Sequence, residues 1–247
     1  VSEEELNNRI INMFQLMNVK EEVSEVYFYG AGCGTPKPTA ILKSILEAIF
    51  INAEIFVTED MLAAVYAASG KAPAMVCILG TGSNSCYFDG ENLHVKSASL
   101  GYILMDEASG NYFGKILLRA YYYNKMPKAL AEKFENEFNL DADHIKENLY
   151  RKSNPNMYLA SFAKFMFEFK DEKYIKRIIK RGFQEFFKYR LLPFEKDAQT
   201  PLYFIGSIAY YFREILEKIA KKNNLKVTDV IQRPIDRLLE YHKENMC

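Results

Sequence analysis

Glycine-containing turns follow three apolar, strand-like runs of the sequence, and such turns can bind phosphate. They read GAG at 30–32, GTGS at 80–83 and GS at 206–207. Glycine lets the backbone adopt positive φ and approach a ligand, and consecutive N–H groups in such a turn can bind an anion. None of the three has the spacing of a Walker-type phosphate loop or of a Rossmann dinucleotide site. A plain hairpin turn is the alternative interpretation of GTGS.

Asp60 stands where a strand-like run, 53–60, meets a helix-like run that ends at Gly70. Proteins of the α/β class bind ligands at the carboxyl ends of their sheet strands, so a carboxylate in this place could take part in chemistry. Capping of the helix by Thr58 or Asp60 is the alternative, because both residue types are common helix caps.

Asp106 and Glu107 lie between Gly101 and Gly110, next to an apolar run. Acidic side chains stabilise the first turn of a helix, so the pair could open a long helix over 104–125. Glycines on both sides of an Asp-Glu pair are unusual for capping alone, which favours a binding site as the other interpretation. The three histidines lie on separate elements and indicate neither a metal site nor a catalytic triad.

The composition is typical of a soluble globular protein. Of the 247 residues, 32 are Lys or Arg and 32 are Asp or Glu, so no net charge favours a nucleic acid or an anionic membrane as partner. The apolar runs are shorter than the roughly 20 residues that span a bilayer. The opening residues, VSEEELNNRI, do not form an apolar signal sequence.

The cysteines indicate reduced thiols in a cytoplasmic protein. No two of them have the C-x-x-C spacing, and three lie in or beside apolar runs. A metal site is therefore not expected. The cysteines are Cys33, Cys77, Cys86 and Cys247.

The order of the predicted elements indicates two α/β lobes, the second with a helical insertion. Hydrophobic periodicity predicts a helix after Ser2, βα units over 25–70, and a strand at 74–80 with hairpin partners. After residue 201 the chain returns to strand, helix, strand and helix. Between these parts, helices are predicted at 104–125, 127–139, 142–151, 156–169 and 172–192.

Six segments, in this order and at this spacing, resemble one known family. They read VYFYGAGCG, VTEDMLAA, CILGTGSNS, LGYILMDEASG, FIGSIAYYF and LLEYH. The series resembles the BadF/BadG-like ATPase and N-acetylglucosamine kinase family, within the superfamily of actin, hexokinase and heat-shock ATPases. GTGSNS followed by G-x-x-x-x-D-E-x-S is the most specific part, whereas the helical block 115–195 adds little.

The resemblance implies an α/β fold of two ribonuclease H-like, actin-like ATPase lobes with an interlobe cleft. The first lobe would comprise 1–72 together with 234–247. The second would comprise 73–233, with the helical insertion at 115–195. Asp60, Thr81 and Asp106 would converge on the cleft.

The same resemblance implies roles for individual residues. Asp60 matches the catalytic base, Asp106 a carboxylate that binds sugar hydroxyls, and Gly30 a conformational turn near the sugar. The other residues implied on the sugar side are Gly82, Ser83, Asn84 and Gly101. The residues implied to bind ATP are Gly80 and Thr81 at the phosphates and Gly206 and Ser207 in the adenosine motif. No residue is implied to bind metal by itself.

The activity implied is ATP-dependent phosphorylation of N-acetylglucosamine or a related amino sugar at the 6-hydroxyl. ATP and Mg²⁺ would be the cofactors, sugar and ATP the partners, and a homodimer is compatible with this activity. One alternative is a BadF-type ATPase that serves a redox partner, although the cysteines lack a suitable pair. The other is a catalytically silent sugar sensor with the same fold.

The sequence departs from the family pattern in two places. The first phosphate motif of the family, D-x-G-x-T, is absent, so we expect a truncated or incompletely described chain that binds nucleotide weakly, catalyses inefficiently and tends to aggregate. Met105 and Ala108 stand where the family more often has glycine, and we expect Met105 to narrow the sugar pocket.

Overall fold

The structure is a computed structural model that describes residues 18–245, so the helix predicted after Ser2 lies outside it. The chain divides into two compact units between Ala63 and Ala64. Residues 235–245 belong to the second unit, and the boundary lies before the expected one at 72. The lobes of the actin-like fold, 1–72 with 234–247 and 73–233, stay a prediction. None of the helices within 18–245 is long and apolar enough to cross a membrane.

The first unit contains two parallel strands joined by one helix. β1 (Glu25–Gly30) and β2 (Glu54–Glu59) pair in register over their full length. Parallel strands need a crossover, and the chain makes it through α1 (Pro36–Ile49). Proline at the start of α1 suits the first helical turn. The core between α1 and the strands contains Leu42, Ile45, Leu46, Ile49 and Ile55.

The second unit contains a mixed sheet with the strand order β5-β4-β3-β6-β7. The meander from β3 to β5 is antiparallel, whereas β6 and β7 run parallel to β3. This order is the ribonuclease H-like arrangement that the resemblance implies. The strands are β3 (Ala74–Leu79), β4 (Ser83–Phe88), β5 (Leu93–His94), β6 (Leu202–Ile205) and β7 (Val227–Ile231).

Helices pack around this sheet and enclose a core that is rich in phenylalanine. In chain order, the helices that follow α1 are α2 (Asp60–Ser69), which spans the boundary between the units, α3 (Gly110–Tyr122), α4 (Lys128–Glu137), α5 (Ala142–Tyr150), α6 (Pro155–Ser161), α7 (Lys164–Glu168), α8 (Lys173–Phe186), α9 (Ser207–Tyr211), α10 (Arg213–Lys222) and α11 (Ile235–Asn245), of which α3 to α10 contribute to this core. A π-helical turn, Phe187–Leu191, follows α8. Fully buried rings include Phe113, Phe134, Phe165, Phe183 and Phe204.

The helix predicted over 104–125 is wrong in its first turn and a half. α3 begins only at Gly110, after Ser109, whose side chain accepts a hydrogen bond from the N–H of Tyr112. Asp106 and Ala108 have φ of 70° and 59°, which no right-handed helix allows. The interpretation of Asp106 and Glu107 as the opening of the helix is therefore wrong.

The predicted helix 156–169 is also interrupted, between α6 and α7. There the N–H groups of Phe162 and Ala163 bond to carbonyls three residues earlier, at Leu159 and Ala160. Such tight bonds mark a change in helical pitch. The predicted helix 172–192 changes pitch in the opposite sense, because α8 is followed by the π-helical turn, which is wider than an α-helix.

α3 and α6 approach each other with their backbones almost in contact. Gly110 and Gly114 lie one turn apart on α3. A Cβ on Gly114 would overlap the carbonyl oxygen of Leu159, and one on Gly110 would lie 3.0 Å from the Cβ of Ala160. Only glycine allows this distance, so the contact fixes where α3 begins relative to the sheet.

Candidate active site

The GTGS turn is the hairpin between β3 and β4, and it is held from one side by the start of α3. The N–H of Gly110 donates to the carbonyl of Gly80 at 2.7 Å, and the N–H of Asn111 donates to that of Thr81 at 3.0 Å. The N–H groups of Thr81 and Gly82 have no partner among residues 18–245. Two adjacent free donors in a glycine turn can bind an anion, so the hairpin geometry and a phosphate site are compatible.

Gly206 places the end of β6 directly against this turn. Its φ is 113°, and its N–H donates to the carbonyl of Ile231 at 2.8 Å. A Cβ on Gly206 would overlap the carbonyl oxygen of Leu79 and lie 3.1 Å from the nitrogen of Gly80. The structure therefore brings the GS segment at 206–207 together with GTGS, although 123 residues separate Ser83 from Gly206 in the sequence.

Asp106 lies beside the GTGS turn and is 6% exposed. One side chain connects the two, because Nδ2 of Asn111 donates to Oδ2 of Asp106 at 2.9 Å and to the carbonyl of Thr81 at 2.8 Å. Gly82 leaves room for the carboxylate, since a Cβ there would lie 2.9 Å from the same Oδ2. Asp106 is thus held beside the turn by contacts that sequence reasoning did not identify.

Three further residues of this region of the sequence are Ser83, Lys115 and Gly101. Ser83 is 4% exposed, and its Oγ is buried and has no hydrogen-bond partner among the described residues. Nζ of Lys115 donates to the carbonyl of Tyr102; burial lowers the pKa of Lys115, while Asp106 and Glu107 raise it. Gly101 has φ of 77° and opens the turn that leads to Met105, whose N–H bonds back to it.

Two residues that sequence reasoning missed are buried in this region. Asn111 is fully buried between Asp106 and Thr81, and Arg190 is 3% exposed near Asn84 and Glu107. Arg190 lies in the stretch FFKYRLLPF, where Lys188 is also charged, so no local signal distinguished Arg190 as the buried one. Among residues 18–245, no group of three or more His, Cys, Asp or Glu side chains could hold a metal ion.

In the first unit, Asp60 lies at the junction that the sequence predicts, as the first residue of α2 directly after β2. Burial raises the pKa of Asp60, while hydrogen bonds from the N–H of Met61 and its own N–H lower it. The carboxylate therefore lies against the first N–H groups of α2, and its role as a helix cap stays a prediction. A carboxylate with a raised pKa at a strand end can also serve as a proton acceptor, so the two interpretations do not exclude each other.

Gly30 ends β1 opposite Glu59, next to this carboxylate in the sheet. Burial and the charge of Asp60 raise the pKa of Glu59 and that of the Cys33 thiol. A Cβ on Gly30 would lie 2.7 Å from the Phe28 ring and 2.9 Å from Sγ of Cys33. The carboxyl ends of β1 and β2 thus carry glycine and acid, as the sequence predicts.

Comparison with solved structures finds proteins whose fold is similar to that of this chain. A protein from Porphyromonas gingivalis, provisionally named an N-acetylglucosamine kinase, is 37% identical, with a TM-score of 0.85 over 93% of this chain and 81% of that one. A second, from Chromobacterium violaceum and named in the same provisional way, is 14% identical, with a TM-score of 0.61 over 79% of this chain and 70% of that one. The second likeness shows the fold alone. No protein-family model and no curated protein matches the sequence.

The sheet order, the glycine turns at strand ends and these relatives define a protein of the actin-like ATPase fold and of the sugar-kinase class. Within that class, the identity and coverage of the first relative place the chain in a single family. The chain belongs to the N-acetylglucosamine kinase and BadF/BadG-like ATPase family.

Proposed function

We propose that this protein transfers the terminal phosphoryl group of ATP to the 6-hydroxyl of N-acetylglucosamine or a related amino sugar. The observation that carries the proposal is the side chain of Asn111, which bonds both the GTGS turn and Asp106. One buried amide thus holds the GTGS turn next to Asp106. The N–H groups of Thr81 and Gly82 in that turn suit a phosphate, and the carboxylate of Asp106 suits sugar hydroxyls. The 37% identical relative supports the same activity.

On the nucleotide side, the turn at 80–83 would bind the phosphates and the segment 206–207 the adenosine. The residues present fit such a ligand, because within 18–245 the N–H groups of Thr81 and Gly82 and the buried hydroxyl of Ser83 have no hydrogen-bond partner. Mg²⁺ would enter with the ATP phosphates, since proteins rarely hold this ion in a cage of side chains alone. Bound Mg²⁺-ATP supplies the phosphoryl group and neutralises part of its charge.

On the sugar side, Asp106 would accept hydrogen bonds from hydroxyls, assisted by Gly82, Ser83, Asn84 and Gly101. Oδ2 of Asp106 is already bonded to Asn111, so Oδ1 is the oxygen left for the substrate. Asp60 would take the proton of the attacking hydroxyl, and Gly30 would lie in the turn beside it. Convergence of Asp60 with Thr81 and Asp106 on one interlobe cleft is part of this proposal.

Release of ADP, measured with and without each of a panel of amino sugars, tests the proposal. We expect turnover only with sugar, and a 6-phosphate as the product identified by ³¹P and ¹³C NMR. Turnover that is independent of sugar would assign a BadF-type ATPase. Sugar binding by calorimetry without any turnover would assign a silent sensor. Either result would overturn the kinase proposal.

Two alanine substitutions in the GTGS turn should affect different substrates. In Gly82→Ala the new Cβ displaces the Asp106 carboxylate, so the KM for sugar should rise by about tenfold or more, because a shift of about 1 Å in a positioning group can cost 10²-fold. In Gly80→Ala the Cβ meets no protein atom within 4 Å and points into open space. That variant should fold normally and raise the KM for ATP instead. Steady-state kinetics with each substrate varied will separate the two, and equal effects on both would contradict the assignment.

A further inference from the structure

Arg190 is a buried cation that the proposed chemistry does not use. It lies in the π-helical turn after α8, and 3% of the residue is exposed. Among residues 18–245, it is the one Lys or Arg that is buried to this degree. Burial of a guanidinium is costly unless its N–H groups are paired, so its position calls for a reason. π-helical turns occur frequently at functional sites.

The guanidinium joins three separate segments of the second unit. Nη1 donates to Oγ of Ser97 at 2.5 Å, Nη2 donates to Oδ1 of Asn84 at 3.3 Å, and Nε lies 4.0 Å from Oε2 of Glu107. The backbone carbonyl of Arg190 also accepts a hydrogen bond from Oγ of Ser85 at 2.6 Å. The segments so joined are the start of β4, the loop after β5 and the turn that contains Asp106.

The contact with Asn84 determines which end of its amide is available. Oδ1 of Asn84 accepts from Arg190 and also from the N–H of Ser85, at 2.9 Å. Nδ2 makes no hydrogen bond within the described part of the chain. Arg190 therefore fixes the orientation of the Asn84 amide. Oδ1 of Asn84 faces Arg190, and the N–H₂ group of Asn84 is left to donate to a ligand. A sugar oxygen is an acceptor that such a group can recognise.

The contact with Glu107 acts on the turn that holds Asp106. Oε2 of Glu107 and Nε of Arg190 are both buried and lack a hydrogen-bond partner among residues 18–245, and they face each other as an ion pair. Glu107 lies between Asp106 and Ala108, which both have positive φ. Non-glycine residues keep such backbone conformations only where the surroundings enforce them. The ion pair with Arg190 is one of the forces that do so.

We propose that Arg190 is a positioning residue of the sugar site: it orients the amide of Asn84 and holds the 106–108 turn, without touching the sugar itself. This inference rests on the proposed function, because it concerns the same site. It gives the end of the helical block 115–195 a role in substrate specificity.

The test compares Arg190→Met and Arg190→Lys with Arg177→Met, an exposed arginine on α8 that serves as the matched control. We expect both Arg190 variants to raise the KM for sugar tenfold or more, with the KM for ATP changed less than twofold. The control should match the wild type. Arg190→Lys keeps the charge beside Glu107 but replaces the planar fork, which reaches Ser97 and Asn84 from two nitrogens, with a single nitrogen, so it decides the matter if Arg190→Met fails to fold.

A double-mutant cycle with Asn84→Ala separates positioning from general stability. If Arg190 acts through Asn84, the sugar KM of Arg190→Lys combined with Asn84→Ala should equal that of Asn84→Ala within about twofold. Multiplicative effects, a sugar KM unchanged in Arg190→Lys, or a lower Tm as the sole effect would overturn the inference while the kinase activity of the wild type stands. Absence of sugar-dependent turnover in the wild type would instead overturn the proposed function, and this inference with it.

Discussion

Asp60→Asn is expected to lower kcat by about 10²-fold or more while the affinity for sugar is kept. General-base catalysis contributes about 10²–10⁴-fold, and asparagine keeps the size of the side chain but cannot accept the proton. Because asparagine is also a good helix cap, α2 should still begin at the same residue. Steady-state kinetics and sugar titration by calorimetry on the same preparation will measure both quantities.

Glu59→Gln is the matched control, because Glu59 is the acid directly before Asp60, at the end of β2, and its pKa is also raised by burial. This variant should keep kcat within a few-fold of the wild type. A near-normal kcat in Asp60→Asn would show that Asp60 is not the base and acts only at the start of α2. A similar loss in both variants would show that the substitutions disturb the end of β2 in general and not a base.

The raised pKa of Asp60 also sets the sign of its pH dependence. The acidic limb of kcat/KM should lie above the ordinary aspartate value of about 3.9. A carboxyl with a raised pKa in the folded state stabilises the fold fully below its unfolded pKa, and this contribution is lost as the pH rises through the folded value. Asp60→Asn should therefore gain stability over the wild type on going from pH 4 to pH 7. Tm values of both proteins across this range will check the sign.

Gly206→Ala is expected to cause a large loss of stability and of ATP affinity. The φ of 113° and ψ of 165° at Gly206 lie in a region that is essentially restricted to glycine and costs another residue about 1–3 kcal/mol, and the new Cβ would also overlap the carbonyl oxygen of Leu79. The end of β3 must move to relieve the overlap, and the GTGS turn must move with it. Thermal unfolding and nucleotide titration will measure the two losses.

Gly70→Ala provides the control for backbone strain alone. Gly70 ends α2 with φ of 61°, and a Cβ there would meet no atom within 4 Å. The fall in Tm should be clearly smaller in this variant, and ATP affinity should stay unchanged. Equal losses in the two variants would mean that the close approach of Gly206 to β3 has no part in nucleotide binding.

The sequence was sufficient to predict the strand ends and what they carry. Asp60 after β2, GTGS after β3 and Gly206 after β6 all lie where alternating apolar runs and turn residues indicate. Such signals are local, because glycine and small polar residues mark a turn whatever the rest of the chain does. The predicted roles of these residues in binding and catalysis stay predictions.

The contacts that position the site could not be read from local patterns. The run at 104–109 has the composition of a helix, but Asp106 and Ala108 are held at positive φ by tertiary contacts. Asn84 and Arg190 meet across 106 residues of sequence. Propensity gives way to tertiary contacts of this kind, and a single sequence carries no signal for which distant side chains will pair.

The close contact between α3 and α6 means that the helical insertion is not an interchangeable module. α3 holds the GTGS turn through its first two N–H groups, and the position of α3 depends on Gly110, Gly114 and the small side chain of Ala160. An engineer who grafts the insertion of a relative onto this sheet must therefore transfer both glycines and the matching face of α6 with it. A graft that keeps only the length and hydrophobicity of the helices would move the GTGS turn, although no residue of the turn had been changed.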